Sequence, residues 1–169
     1  FLCSILRAMA ARGLPDQAFF DMGAAAFQIP ENQDVRAFLS RLRSPHEIYE
    51  WFFGEAITQF EMNYDYRIDR AHSDSIVLSF TPKEGRIEEN GVGVTGDRYL
   101  SIYRSGVAAG LIRSTGRPLP RVKQILAPSK NSPTEKVELS WKIDHAATRP
   151  NPASTPSVSR SFSPSLRLV

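Results

Sequence analysis

A β-hairpin is predicted by residues 64–81, which read YDYRIDRAHSDSIVLSFT. Apolar and charged residues alternate through the first half, with the two-residue period of a half-buried strand. A turn at His72-Ser73-Asp74 separates it from a second strand, Ser75 to Thr81. The apolar face of the pair consists of Tyr64, Tyr66, Ile68, Ile76, Leu78 and Phe80.

Helical spacing of apolar residues replaces this alternation upstream of the hairpin. Three helices are predicted, at about residues 1–11, 15–27 and 33–42. Gly13 suits the end of the first helix, and Pro30 breaks the chain after the second. The N-terminal third of the chain is therefore expected to be helical.

The helix that begins at Pro45 has the clearest capping signal in the chain. Ser44 can cap its N-terminus, Pro45 fits the first helical position, and Glu47 lies three residues after the cap. The helix is expected to reach about Met62, with a heavily aromatic face. That face consists of Ile48, Trp51, Phe52, Phe53, Ala56, Ile57 and Phe60. Such a stripe is either core or the wall of an apolar ligand cavity.

Downstream of the hairpin, the sequence predicts one long helix and two more strands. The helix covers about residues 98–114, with Asp97 as its cap. Gly106 and Gly110 lie four residues apart and leave a groove for another element, since glycine inside a helix costs about 1 kcal/mol and needs a packing reason. Strands at 121–126 and 136–143 follow. The predicted fold class is α+β: N-terminal helices packed on a small antiparallel sheet, with one long helix between the hairpin and the last two strands.

Composition divides the chain into a body, residues 1–143, and a tail, residues 144–169. The tail is rich in proline and serine and is expected to be disordered, because it cannot bury enough apolar surface to offset chain entropy. It also holds three arginines against one acid, so it carries +2 of the net charge of +3. The body is nearly neutral and lacks the excess of positive charge that binding to a nucleic-acid backbone requires. No apolar run is long enough for a membrane span.

No catalytic or metal-binding pattern stands out. Residues 91–96 fit G-x-G-x-x-G, but a polar stretch precedes them where a dinucleotide site needs a buried strand, so we interpret them as a loop. His46, His72 and His145 lack metal-ligand spacing, and there is no G-x-S-x-G elbow. A single cysteine, Cys3, fits a reducing, cytoplasmic setting. We expect a protein that is not an enzyme and that has no metal or other cofactor.

The segment Tyr103-Arg104-Ser105-Gly106-Val107 begins a longer pattern, which continues through Gly116, Pro118, Pro120 and Val122 to Trp141. This pattern resembles bacterial sensor modules related to the haem-NO-binding-associated and 4-vinyl-reductase-type domains, found upstream of histidine kinases and diguanylate cyclases. The match covers about residues 39–143, including Ser44, Pro45 and Tyr49. Ala127 and Glu135 stand where the family has two cysteines, so no metal or thiol role is carried over.

The resemblance implies a ligand-sensing domain that forms a homodimer and relays to an output domain outside this chain. We therefore expect a piece of a longer regulatory protein. Two alternatives stay open. Gly116-Arg117-Pro118 and Val122 are also similar to the ligand-binding N-terminal domain of AraC-type transcription regulators. A protein–protein interaction module without a small ligand would instead show an exposed apolar patch on a helix face.

The leading hypothesis is a pocket for a small apolar or amphipathic ligand, enclosed by the aromatic helix, the long helix and the sheet. The candidate pocket residues are Trp51, Phe52, Tyr103, Arg104 and Gly106. An enzyme would instead need titratable groups that converge in one cleft, and the sequence offers no obvious set.

Overall fold

The predicted hairpin is present in the computed structural model as β1 (Tyr64–His72) and β2 (Ser75–Pro82). The two strands pair antiparallel, and the register shifts at a bulge between Ile68 and Arg70. The structure describes residues 2–59, 63–83, 98–127 and 132–141. The tail, the domain boundary near residue 143, the glycine-rich loop at 91–96 and the Asp97 cap lie outside these residues.

The hairpin belongs to a sheet with two later strands, β3 (Arg121–Leu126) and β4 (Glu135–Ser140). Within the described residues the strand order is β1-β2-β4-β3, and all neighbours are antiparallel. The central position of β2 buries every residue from Ile76 to Phe80. Along β4, alternate residues are buried, as the period of a strand requires. The α+β fold class is confirmed.

The N-terminal helices are α1 (Leu2–Ala11), α2 (Asp16–Ala25) and α3 (Gln33–Leu39), with a short 3-10 turn at Pro30–Asn32 before α3. The long helix after the hairpin, named α5, covers Arg98–Arg113. The most extensive contact between elements joins α2 to α5.

Glycines set the distance between α2 and α5. A Cβ at Gly106 would lie 2.1 Å from the carbonyl oxygen of Phe20, and one at Gly23 would lie 2.1 Å from that of Tyr103. Real Cβ atoms do not approach backbone so closely, so the helices meet where side chains are missing. The groove predicted at Gly106 and Gly110 is confirmed, and α2 fills it.

The helix at Pro45 begins as predicted and changes geometry after Trp51. Here α4 (Pro45–Trp51) is capped by Ser44, whose Oγ accepts a hydrogen bond from the backbone N–H of Glu47 at 3.2 Å. A π-helical turn at Phe52–Ala56 and a 3-10 turn at Ile57–Gln59 follow. The wider turn lets consecutive aromatic residues face the interior together: Phe52 and Phe53 are both buried. Residues 60–62 lie outside the described part.

Two hydrophobic clusters form the interior. The larger lies between the sheet, the 45–59 helix and α5, and the smaller joins α1, α2 and the start of α5 around Leu6 and Phe19. Tyr49 links α4 to α5 across the larger cluster, because its buried hydroxyl donates to the carbonyl of Ala108 at 3.1 Å. No described helix is both long and apolar enough to cross a membrane.

Candidate functional site

A cavity of about 70 Å³ lies where the 45–59 helix, α5 and the sheet meet, with the first residue of α1 at its margin. It is partly open to solvent, and its walls are mostly apolar. The lining residues are Leu2, Phe52, Phe53, Ile57, Tyr66, Phe80, Leu100, Tyr103, Arg104 and Val107.

Three local patterns bring these side chains together. On α5, the lining residues Leu100, Tyr103, Arg104 and Val107 follow the spacing of one helical face. On the sheet, Tyr66 and Phe80 are directly opposite in register, and their ring centroids are 5.4 Å apart. The π-helical turn directs Phe52 and Phe53 to the same place. The cavity is therefore built by the predicted hairpin and both predicted helices.

The structure places three of the five candidate pocket residues, Phe52, Tyr103 and Arg104, on the cavity wall. The other two lie elsewhere. Trp51 packs on Phe38 with ring centroids 4.7 Å apart, and Gly106 contacts the backbone of α2.

Several lining residues were not singled out by sequence reasoning. The alternation through the hairpin predicts that Tyr66 and Phe80 lie on its apolar face, and this is the signal that could have found them. Leu100 and Val107 share the helical spacing of Tyr103. Leu2 belongs to the apolar spacing of the first predicted helix, but nothing local links it to a cavity formed by residues so distant in sequence.

Arg104 is the one charged residue among the described residues that line the cavity. Its guanidinium carbon lies 3.4 Å from the centroid of the buried Tyr64 ring, a cation–π contact. Its side chain is half-buried and forms no hydrogen bond or ion pair with a described residue. The cavity therefore has an apolar interior with one cationic group at its wall.

Beside the cavity lies a polar cluster, which we define as the buried Ser101 and Glu135 with the exposed Gln124. The Ser101 hydroxyl donates to the Glu135 carboxylate, and the Gln124 amide lies 3.0 Å from Ser101 Oγ and 3.3 Å from Glu135 Oε1. Glu135 is only 2% exposed, and it is opposite Phe80 in the sheet. Burial raises the pKa of this carboxyl, although the hydrogen bond from Ser101 and the positive charge of Arg104 oppose the rise.

Ala127 and Glu135, the positions at which the resemblance would place two cysteines, differ in environment. Ala127 is exposed just after β3, whereas Glu135 is buried at the start of β4. Sequence reasoning missed the burial of this carboxyl because its hydrogen-bond partners come from other segments of the chain.

Among the described residues, no group of three or more histidine, cysteine, aspartate or glutamate residues could hold a metal ion. The His46 ring packs edge-on against Trp141, with centroids 5.2 Å apart. Its Nε2 is buried and has no hydrogen-bond partner among the described residues. His72 is exposed, and residue 145 lies outside the described part.

The described part also exposes large apolar side chains at one edge of the sheet. Ile125 and Leu126 on β3, with Leu119 just before it, are between 37% and 45% exposed. The interaction-module hypothesis predicted such a patch on a helix. In the described residues, the exposed large apolar side chains belong to the edge strand and the segment that leads into it.

No protein-family model matches the chain, and no curated protein matches it in sequence. Two solved structures are similar in fold. The Fe(II) unliganded H-NOX protein from K. algicida has a TM-score of 0.57 at 9% identity, covering 85% of this chain and 73% of the other. A mutant of the same protein has a TM-score of 0.57 at 10% identity, covering 86% and 74%. The fold is therefore similar to that of H-NOX, the haem-NO-binding domains.

The described cavity does not fit a haem group, because it is too small. Proteins hold haem iron through histidine, cysteine, methionine or tyrosine. Of these, the described lining offers only tyrosine, at Tyr66 and Tyr103. A volume of about 70 Å³ is also far below the roughly 300 Å³ at which pockets for larger organic ligands begin. The similarity to H-NOX is therefore one of fold, and the cavity that the described residues form is not a haem site.

Proposed function

We propose that this chain is a cytoplasmic ligand-sensing domain of a regulatory protein. The cavity between the 45–59 helix, α5 and the sheet would bind a small apolar or amphipathic molecule. The observation that carries the proposal is this cavity itself, which is walled by aromatic residues at the junction of three structural units. Binding there would alter how those units pack, and an output domain outside this chain would respond.

Two further observations support this proposal. The fold is similar to that of H-NOX domains, which makes a sensor role reasonable at the level of fold alone. The pattern from Tyr103 to Trp141 resembles the 4-vinyl-reductase-type and haem-NO-binding-associated modules, whose members serve as input domains. We assign no reaction to the domain, and the absence of catalysis stays a prediction.

Binding of a small neutral probe to the full chain would test the proposal. Butanamide has a size that suits the cavity, and weak binding is expected because so small a ligand makes few contacts. We expect saturable amide shifts in a two-dimensional NMR titration, centred on Phe52, Phe80 and Val107. Val107→Phe should abolish these shifts by filling the cavity.

A second variant, Leu2→Trp, should block the cavity from the side of α1. The test then does not depend on whether Val107→Phe folds. Val122→Ile is the control, because Val122 is a half-buried core residue that does not line the cavity. Shifts that persist unchanged in both folded blocking variants, or no saturable binding to the wild-type chain, would contradict the proposed site.

Homodimerisation through β3 is a second part of the proposal. This edge strand exposes Ile125 and Leu126, whereas the other edge, β1, exposes mainly charged and small residues. Exposed apolar edge strands readily pair with a second copy about a two-fold axis. Ile125→Lys should shift the chain towards monomer in analytical ultracentrifugation, and Ala71→Lys on β1 should not. Equal behaviour of the two variants would count against a β3 interface.

A further inference from the structure

We propose that the ligand of this cavity is a short-chain carboxylate, whose tail occupies the aromatic interior and whose head group pairs with Arg104. The inference rests on the proposed function and specifies the chemical class of its ligand. Four features support it: the position of Arg104, the orientation of its guanidinium, the state of the nearest acid, and the volume of the cavity.

Arg104 lies where an anion could reach it from within the cavity. It lines the cavity, and the other described lining residues are aliphatic or aromatic. A half-buried guanidinium that is only partly solvated gains from a charged partner, yet no described residue supplies an ion pair to it. In the part of the chain that the structure describes, this cation therefore has no direct counterion.

The contact with Tyr64 orients this cation for a carboxylate. The guanidinium carbon lies 3.4 Å from the ring centroid, so the face of the group is occupied by the tyrosine. Its N–H groups point outward in the guanidinium plane, and none of them forms a hydrogen bond with a described residue. Two parallel N–H donors match the two oxygens of a carboxylate, which is the geometry that arginine provides and lysine does not.

Glu135 is the acid whose ionisation Arg104 influences, and it is a poor counterion. Its Oε1 accepts hydrogen bonds from both Ser101 and Gln124, and burial raises the pKa of the carboxyl, which disfavours its ionised form. Among the described residues, no acid forms an ion pair with Arg104. A ligand carboxylate at the partly open cavity would supply the missing charge without being fully desolvated.

The volume limits the apolar part of the ligand. A cavity of about 70 Å³ holds roughly five water-sized groups, on the scale at which one such group needs about 10–15 Å³. Butanoate is of that size, and larger aromatic acids or long-chain fatty acids are not. Discrimination among short chains would come from the aromatic walls formed by Phe52, Phe53 and Phe80.

Comparison of butanoate with butanamide on the full chain tests this inference, because the two probes are nearly identical in shape and differ in charge. We expect the wild-type chain to bind butanoate at least about tenfold more tightly at neutral pH, the effect of charge-assisted hydrogen bonds. Arg104→Met should remove this preference, so that the ratio of the two affinities falls to about one. Arg104→Lys should keep part of it, since charge remains and the two-donor geometry is lost.

The matched control is Arg113→Met, which removes an exposed arginine from the same helix. It should bind butanoate as the wild-type chain does. Equal affinity for both probes in the wild-type chain would overturn the carboxylate inference and leave the apolar site intact. An equal loss in Arg113→Met and Arg104→Met would also overturn it, by showing a general charge effect. Failure of both probes to bind would instead refute the proposed function.

Discussion

Gly106 on α5 lies directly against the carbonyl oxygen of Phe20 on α2, so closely that a Cβ at Gly106 would be 2.1 Å from that oxygen. Gly23 makes the reciprocal approach to the carbonyl of Tyr103. The crossing of α2 and α5 therefore depends on missing side chains in both helices. Because Tyr103, Arg104 and Val107 project from the same part of α5, the crossing also fixes one wall of the cavity.

Gly106→Ala should destabilise the domain by about 3 kcal/mol, since the added methyl group meets backbone that cannot rotate away. Gly54→Ala is the matched control: Gly54 lies in the π-helical turn, and a Cβ there would meet nothing within 4 Å. That control should be neutral or stabilising by up to about 1 kcal/mol. Urea unfolding of both variants checks the prediction, and equal unfolding midpoints would contradict it.

Local signals made most of the fold predictable from the sequence. The Ser44 cap, the turn after His72 and the alternation through Tyr66 each depend on a few neighbouring residues, and the structure has all three. The geometry after Trp51 was not predictable in this way. A π turn is favoured there by burial of both Phe52 and Phe53, which depends on the sheet and α5 rather than on local propensity.

The site was less predictable than the fold, because its geometry is set by contacts between distant segments. Phe52 and Tyr103 belong to apolar helix faces, so their approach to the cavity followed from the helical period. Trp51 belongs to the same stripe but packs on Phe38, a difference that the period alone does not encode. Glu135 gave no sign of burial, since a charged residue at the start of a strand is ordinarily exposed.

The Asp69 carboxylate should stabilise the domain at pH values above its ordinary pKa, and this stabilisation should be lost in acid. Burial alone would raise the pKa of Asp69, but hydrogen bonds from Lys136, Arg67 and Ser79 outweigh it and lower the pKa overall. The Lys136 Nζ lies 2.5 Å from Asp69 Oδ2 and joins β4 to β1 across β2. The pKa of Asp69 is lower in the folded state than in the unfolded state. Its contribution to stability is therefore present at pH values above the unfolded-state pKa and is lost as the pH falls through the folded-state pKa.

We therefore expect Asp69→Asn to cost about 1 kcal/mol at neutral pH and to weaken the loss of stability below about pH 4. Asp65→Asn is the control on the same strand, since Asp65 is 71% exposed and lies 3.5 Å from the Lys83 Nζ. Urea titrations at several pH values compare the two. A larger loss of stability in Asp65→Asn than in Asp69→Asn would refute the stabilising role assigned to Asp69.

The chain should not bind haem stoichiometrically, although its fold is similar to that of H-NOX domains. The prediction follows from the small cavity, whose described lining offers tyrosine but no histidine, cysteine or methionine as a haem ligand. Titration of the purified chain with haemin, followed by absorbance and by competition with butanoate, checks it. A saturable one-to-one spectral change that Val107→Phe abolishes would show that the cavity opens to admit the cofactor.

Glu135 should produce the opposite pH dependence to Asp69, because burial raises its pKa. A raised folded pKa means that the stabilising contribution is complete below the unfolded value and is lost as pH rises through the folded value. Ionisation then places a charge in a site that is 2% exposed, where Ser101 and Gln124 offset only part of the lost hydration. Glu135→Gln, which keeps the shape and removes the charge, should raise stability at pH 7 relative to the wild-type chain and change it little near pH 4. Glu138→Gln, on the same strand, should not gain stability in this way when urea unfolding is compared at pH 4 and pH 7. Equal changes in the unfolding free energy of the two variants would assign the effect to net charge rather than to burial.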